Sequence, residues 1–363
     1  MYDVAIIGAG INGCSAAYEF TQEKKSVLLL DKAAIAAGGS GAAGAFISPK
    51  FSKAGELKEL LREAFIYSLD FYEKQFPTML TKAQLLHLAQ DESDAEILRE
   101  YKKSSDLELL REENEKREYV SINAGVVDAK AMCEAMAKDA KFVQENVDSL
   151  IYDDGLWIIN ETYSAKEVVL ATGAYTPIIK EPYIQLRGVW GHRIDIKTTT
   201  TNPYSVHQFV SISPSKDGML AIGATHNVHY HPQTATEPYD VNEGRAELLE
   251  KASRTMELEN VEVIKDYTGL RSGSFDYMPM VGPLVLSHET LQNPDIRFKV
   301  KHADYKEYSY YPHLTMINGS GGYGFVLAPY LAKMLKEYIL SAKPLSDRIS
   351  PARFFARYAK KLP

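Results

Sequence analysis

The sequence predicts an α/β protein: a nucleotide-binding domain on a parallel sheet, joined to a second, α+β domain of mainly antiparallel sheet. Three observations carry that expectation. An apolar run, Val4-Ala5-Ile6-Ile7, is followed at once by the spacing Gly8-Ala9-Gly10-Ile11-Asn12-Gly13. A second run, Val27-Leu28-Leu29-Leu30, ends in the acid Asp31. From Gln185 to Pro312 the texture changes to strand-like alternation with many turn residues and frequent Tyr, His and Pro.

The opening G-x-G-x-x-G has a physical reading at each glycine. Gly8 permits a tight strand-to-helix turn, Gly10 lets a pyrophosphate approach the backbone, and Gly13 lets the helix pack closely on its strand. The phosphates then meet the helix N-terminus, where unpaired N–H groups and the helix dipole favour negative charge. Asp31, ending the second strand, suits a ribose hydroxyl, so the motif sits in the strand-helix-strand context of a Rossmann-type unit. On these residues alone NAD, NADP and FAD all remain open.

Further along, the uncharged Ala33–Pro49 stretch reads as a loop, because its glycines and Ser40 make a poor membrane span. Glu56–Gln75 repeats Leu57, Leu60, Leu61, Ala64, Phe65, Ser68, Leu69 and Tyr72 at helical spacing and stops before Pro77. A second helix is expected over Ala124–Ala140, then strands over Phe142–Leu150 and Leu156–Ile159 around an Asp153-Asp154-Gly155 turn. Glu167–Leu170 reads as a buried strand entering the turn Ala171-Thr172-Gly173. One helix is expected near Val241–Met256. Met316-Ile317 then leads through the glycine loop Asn318–Gly324 into a helix over Phe325–Leu340, with Pro329 in its early turns.

Composition sets bounds on function. A chain of 363 residues suggests about two domains. Its two cysteines, Cys14 and Cys133, fit a reducing compartment and form no zinc pattern. Met1-Tyr2-Asp3 leads directly into the first strand, so no leader is expected and the protein reads as cytoplasmic, with no membrane partner. A net charge of -7, from 41 basic and 48 acidic side chains, argues against broad nucleic-acid coating. The tail is the exception: Lys343, Arg348, Arg353, Arg357, Lys360 and Lys361 against Asp347 make it basic. The stretch Asp91–Glu118 is the reverse, an acidic solvated helix face.

In their order, these motifs resemble the D-amino acid oxidase-like (DAO) superfamily of FAD enzymes, which includes glycine oxidase and sarcosine oxidase. Within it the sequence is similar to the FAD domain of the bifunctional tRNA methylaminomethyl-uridine biosynthesis proteins. Gly38-Gly39-Ser40-Gly41-Ala42-Ala43-Gly44-Ala45-Phe46-Ile47-Ser48-Pro49, Ser211–His226 and the tail with Pro351, Arg353 and Arg357 carry that similarity. The resemblance implies non-covalent FAD and a discontinuous division. Residues 1–75, 121–183 and 312–363 would form the Rossmann-type FAD-binding domain, and residues 76–120 and 184–311 the substrate domain.

It also implies roles by position. Gly8, Gly10, Ile11, Asn12 and Gly13 would meet the pyrophosphate, and Asp31 and Lys32 the adenosine ribose. Gly39, Ser40, Gly41 and Gly44 would reach the phosphates or flavin edge from the loop, Val147 would meet adenine, and Ala171 and Gly173 would pass close to the cofactor. Gly321, Gly322, Tyr323, Gly324 and Phe325 would bring backbone N–H groups and a helix N-terminus to the flavin pyrimidine edge. Arg271, in Gly269-Leu270-Arg271-Ser272, would clamp a substrate carboxylate. His226 and Tyr323 are further candidates for the substrate cavity. His226, His229 and His231 lack a supporting cysteine or carboxylate pattern, so no metal site is expected.

Two positions depart from the resembled pattern. Ser211 stands where a tyrosine is usual, and Arg187-Gly188-Val189 replaces R-G-Q, with Trp190 or His192 as candidates to compensate. The implied activity is oxidation of a glycine-like amine. The first substrate is the carboxymethylaminomethyl group of a tRNA wobble uridine, with the basic tail on tRNA phosphates. The alternatives are a small-molecule amine or amino acid, and a flavin-bearing scaffold. Oligomeric state is left open.

Overall fold

The computed structural model describes residues 1–110, 117–175, 177–294, 296 and 304–362, and their strands form two eight-stranded sheets. In the first, β1 (Tyr2–Ile7), β2 (Val27–Asp31), β6 (Lys141–Gln144), β9 (Tyr163–Leu170) and β16 (Tyr310–Asn318) run parallel in the spatial order β16-β9-β1-β2-β6. Val4–Ile7 and Val27–Leu30 are buried at every position, without alternation, because both faces of this sheet are covered. Helix α1 (Ile11–Gln22) covers one face with the small residues Cys14, Ala16 and Ala17. A Cβ on Gly13 would lie 1.8 Å from the Gly8 carbonyl oxygen, so only glycine allows that approach.

Helix α2 (Glu56–Gln75) and the long helix Gly324–Ser341 complete this layer. Pro329 is accommodated inside the long helix by α2, whose Tyr72 hydroxyl donates to the Phe325 carbonyl and whose Ser68 hydroxyl donates to that of Val326. The other face is covered by the hairpin β7 (Leu150–Asp153) and β8 (Leu156–Ile159), which brings Trp157, and by the C-terminal helix Ala352–Ala359, which brings Phe355 against Tyr183.

The second sheet is mainly antiparallel. It contains β3 (Phe46–Ile47), β4 (Leu80–Leu88), β5 (Tyr119–Val127), β10 (Leu186–Lys197), β11 (Ser205–His207), β12 (Ser211–Ile212), β13 (Met219–Gly223) and β14 (Glu262–Ser274), in the order β14-β10-β13-β12-β11-β4-β5-β3. Its one parallel pair is β11 with β4. Helix α5 (Val241–Thr255) packs Leu248 and Ala252 on Ile194, Ile196 and Ile222.

Local expectations differ from the structure in three places. The helix expected from Ala124 starts only at Ala129: residues through Val127 belong to β5, which is paired on both sides by β4 and β3, and Asp128 then caps α4 (Ala129–Ala137). The strand expected over Phe142–Leu150 is β6 and the start of β7, separated by a loop that the Asn160 side chain ties down through Asp148, Ser149, Glu145 and Asn146. Of the acidic stretch, Glu92–Ser104 is helix α3, while residues 111–116 lie outside the described residues. Sheet membership also crosses the expected segment boundaries. Strand β15 (Met280–Val285), inside 184–311, pairs with β16 in the first sheet, whereas β3 and most of β5 lie in FAD-domain segments yet join the second.

Candidate active site

Strands β1, β2 and β9 end in register, and beyond their carboxyl ends opens a cavity of about 1200 Å³. That exceeds the roughly 300–1,000 Å³ of ordinary small-ligand pockets. Two helices start at its edge. At α1 the N-cap is Gly10, which has no side chain to cap with, and the Ile11 N–H donates to Ser40 Oγ at 2.9 Å, drawing the loop after β2 over the helix start. The long helix starts at Gly324 beside Ile11, and the Ser320 hydroxyl ties the preceding glycine loop to Asn12 Oδ1 at 3.0 Å. Asp31 ends β2 with its carboxylate held by the N–H groups of Ala9 and Ala33, each at 2.9 Å.

Nearly all residues expected to hold a cofactor line this one cavity. Gly8, Gly10, Ile11, Asn12, Asp31 and Lys32 form one end, and Gly39, Ser40, Gly44, Val147, Ala171, Gly173 and Gly321–Phe325 continue the wall. Gly13 and Gly41 do not reach it. Gly13 serves helix packing, and a Cβ on Gly41 would lie 2.3 Å from the Ala36 carbonyl, so both are packing requirements beneath the cavity. Gly321 and Gly322 present bare backbone, since an added Cβ on either meets nothing within 4 Å.

The other end of the cavity is a sheet face. Strands β10 and β14 pair with Val189 opposite Arg271 and Gly191 opposite Gly269. Alternation therefore puts Arg187, Val189 and Gly191 on the same face as Gly269, Arg271 and Gly273, and all six line the cavity. A Cβ on Gly191 would lie 2.5 Å from Arg271 Nη2, so the guanidinium rests on bare backbone while Nη1 donates to the Thr225 carbonyl at 3.0 Å. The same alternation turns Trp190 and His192 away: both rings pack on Tyr239, and His192 Nε2 lies 2.9 Å from Asp266 Oδ1. Neither compensates inside the cavity for Val189. Gly269 also crosses Gly39, where a Cβ would fall 2.8 Å from the Gly39 Cα, so the cofactor-side loop touches the strand that carries Arg271.

Charge distinguishes this end. Among the described residues Arg271 has no carboxylate partner, and burial pushes its guanidinium below its ordinary value. His226 lines the same wall, and burial, followed by the positive charges of Arg271, Arg187 and Lys251, lowers its imidazole. His226 is therefore neutral at pH 7. Tyr323 lines the cavity from the glycine loop, with Lys50 Nζ 5.6 Å from its ring centroid.

Several cavity residues had not been singled out. His87 and His207 are register partners on β4 and β11, each with one buried ring nitrogen lacking a partner. Burial, and then the neighbouring His87, lowers His207 to about 3. Gly191 and Tyr277 are two more; a glycine two residues from Val189 on a strand was the only signal for Gly191. Among the described residues no group of three His, Cys, Asp or Glu side chains is placed to hold a metal ion.

The basic tail is engaged elsewhere than expected. Arg353 is 8% exposed and grips Asp276 with two bonds of 2.9 and 3.0 Å, also donating to the carbonyls of Ser350 and Met278; Arg357 joins Asp276 at 3.0 Å. Burial works to raise the Asp276 carboxyl, but Arg353 and Arg357 hold it below the usual range. Lys343 pairs with Glu337, and Arg348 with Glu63. Four of the six basic side chains of the tail are thus paired, and two of them fasten the 275–278 loop.

The family model described as "DAO: FAD dependent oxidoreductase" matches residues 3–338. The chain belongs to the DAO family of FAD-dependent oxidoreductases. A curated relative, the tRNA 5-methylaminomethyl-2-thiouridine biosynthesis bifunctional protein MnmC of Legionella pneumophila (strain Corby), is 22% identical over 97% of the chain. The chain spans 57% of that relative's length. Among solved structures, glycine oxidase from Geobacillus kaustophilus superposes with a TM-score of 0.74 at 19% identity, covering 97% of both chains. Glycine oxidase from Bacillus cereus gives 0.72 at 19% identity, covering 95% of this chain and 96% of that one. The fold is thus the two-domain DAO fold.

FAD is the cofactor of the DAO family, and the residues present fit it. Two helix N-termini, a loop of bare glycine backbone and an acid at the end of β2 share a single cavity of about 1200 Å³, as a dinucleotide with two phosphates and a ribose requires. No helix among the described residues is long and apolar enough to cross a membrane.

Proposed function

We propose that this DAO-family protein oxidises the C–N bond of a glycine unit carried by the carboxymethylaminomethyl group of a tRNA wobble uridine. The products are glyoxylate and an aminomethyl-uridine. The observation that carries the amine chemistry is Arg271: a desolvated guanidinium without a carboxylate partner among the described residues, resting on Gly191 in the cavity that fits FAD. A planar fork of donors suits a carboxylate, and leaving it unpaired in a partly buried wall is costly unless a ligand anion completes it. The tRNA substrate is supported by similarity to MnmC along 97% of the chain.

In this reading Gly8, Gly10, Ile11 and Asn12 hold the pyrophosphate, Asp31 and Lys32 the ribose, Val147 the adenine, and Gly321–Phe325 the flavin end, with binding non-covalent. Bound FAD supplies the hydride acceptor. Arg271 anchors the substrate carboxylate, and neutral His226 offers a ring nitrogen to the amine N–H without adding a proton to it. The methylene hydrogen leaves as hydride, the nitrogen lone pair closes the C=N bond, and water adds to the imine carbon to release glyoxylate and the amine.

A second reading, oxidation of free glycine, sarcosine or a D-amino acid, is favoured by one observation: the tail arginines expected on tRNA are tied to Asp276. Incubation with tRNA bearing the carboxymethylaminomethyl group, followed by nucleoside mass analysis, separates the two. Conversion to the aminomethyl nucleoside supports the first reading. An unchanged nucleoside, with glycine reducing the flavin, overturns it.

A further inference from the structure

Strand β10 carries a second arginine on the cavity face, Arg187, diagonal to Arg271 across the β10–β14 pair. Diagonal neighbours in such a pair lie roughly 7–8 Å apart, so both guanidinium groups are within reach of one bound molecule. They turn opposite ways. Arg271 folds back over Gly191 to Thr225, whereas Arg187 lies over Tyr277, its guanidinium carbon 4.9 Å from the ring centroid. Among the described residues the Arg187 side chain makes no hydrogen bond or ion pair, and its Nε is buried without an acceptor.

Tyr277 stands at the cavity rim, 61% exposed, with φ +64°, a left-handed conformation that an aromatic residue rarely adopts. It is nonetheless firmly held. The preceding Asp276 takes two bonds from buried Arg353 and one from Arg357, and it also accepts from the Ser274 hydroxyl and the Met278 N–H. A ring fixed in the open over an arginine that lacks an acceptor provides one face for stacking and a fork of donors beside it.

We propose that Arg187 and Tyr277 form a recognition subsite for a planar, acceptor-bearing N-substituent of the substrate. The inference rests on the tRNA reading above, in which that substituent is the pyrimidine ring of the wobble uridine. Arg187, which has no side-chain hydrogen bond to break, moves off the ring; the base takes its place on that face of Tyr277, one of its carbonyl oxygens accepts from the guanidinium, and the glycine unit at C5 extends inward to Arg271. The row Tyr277, Arg187, Arg271 thus orders the substrate from the rim to the reacting carbon.

The test uses the FAD-loaded protein with two substrates, glycine and the free nucleoside 5-carboxymethylaminomethyluridine. Anaerobic flavin reduction gives kcat/KM-type rate constants for each, and calorimetry gives the nucleoside Kd. In Tyr277→Ala and Arg187→Met the nucleoside-over-glycine ratio falls at least about fivefold, the low end of what one aromatic stack contributes, and the nucleoside Kd rises in parallel. Tyr277→Phe keeps the ratio. A ratio within twofold of wild type in both variants overturns the subsite while leaving the tRNA reading intact. A wild-type protein reduced by glycine but by neither the nucleoside nor the modified tRNA overturns both.

Discussion

The hydroxyl of Tyr72 donates to the carbonyl oxygen of Phe325 at 2.9 Å, in place of the backbone N–H that Pro329 lacks. In an unbroken helix residue 329 would serve the carbonyl four positions back. A buried tyrosine on α2 thus stabilises a proline in the second turn of the helix whose start faces the cavity. Replacing Tyr72 by Phe leaves that carbonyl buried and unsatisfied, at a cost of about 1–3 kcal/mol. Urea unfolding monitored by far-UV circular dichroism measures it; a change below about 0.5 kcal/mol would show that water takes over the acceptor.

Arg271→Met keeps FAD bound and removes the carboxylate anchor. Turnover of any amino acid substrate, as kcat/KM, falls at least about 100-fold, equivalent to roughly 2.7 kcal/mol. Lysine at this position restores little, because a point charge lacks the paired donors. Unchanged kcat/KM with a full complement of FAD would remove the assignment.

Gly191→Ala is a sharper probe, since it leaves Arg271 in the sequence and disturbs only its resting place. The new Cβ would sit 2.5 Å from Nη2 and 2.7 Å from Cζ, so the guanidinium must move. KM for the amino acid rises by about tenfold or more, at unchanged FAD content and melting temperature. An unaltered KM would mean that the guanidinium works from another position.

Removing Arg353 takes away both of its bonds to the Asp276 carboxylate and leaves only the more exposed Arg357 as a charged partner, so Arg353→Met costs about 1–3 kcal/mol in stability. Arg357 also touches Asp276 but is 55% exposed, and Arg357→Met costs less than about 1 kcal/mol. Thermal unfolding of the two variants side by side checks the contrast; equal losses would refute it.

The histidine pair sets an acid limit. With His207 lowered to about 3 in the folded protein and near 6.5 when unfolded, the unfolded chain binds more protons throughout that interval. Stability is therefore full above about pH 6.5 and falls as pH drops towards 3, by a few kcal/mol from this group. Burial lowers His87 in the same direction. His207→Gln, which does not titrate, flattens the melting-temperature profile between pH 6.5 and 4; a profile as steep as wild type would assign the acid sensitivity to other groups.

What could be read from the sequence was what local stereochemistry dictates. The β1-α1-β2 unit follows from glycines whose added Cβ atoms would strike backbone and from apolar runs buried on both faces. Arg271 was expected from the resemblance of its G-x-R segment, and the structure puts it in the cavity wall. Gly191 could not be read, because its requirement comes from a side chain on another strand. Arg353 was misjudged for a related reason: sequence gives a charge but not its partner, and Asp276 lies 77 residues away. Residues 124–127 look helical in isolation, and only pairing on both edges makes them a strand.

The crossing of Gly39 and Gly269 carries a consequence for how this architecture can be recombined. Gly269 is bare because the Gly39 backbone occupies the space its Cβ would need, and Gly39 is bare because the carbonyl of Leu270, the next residue after Gly269, occupies its own. A chimera that takes one sheet from this protein and the other from a relative with any larger residue at either position inherits a wedge between its two ligand sites. The pair must be transplanted together, as one unit of design, although 230 positions of chain separate them.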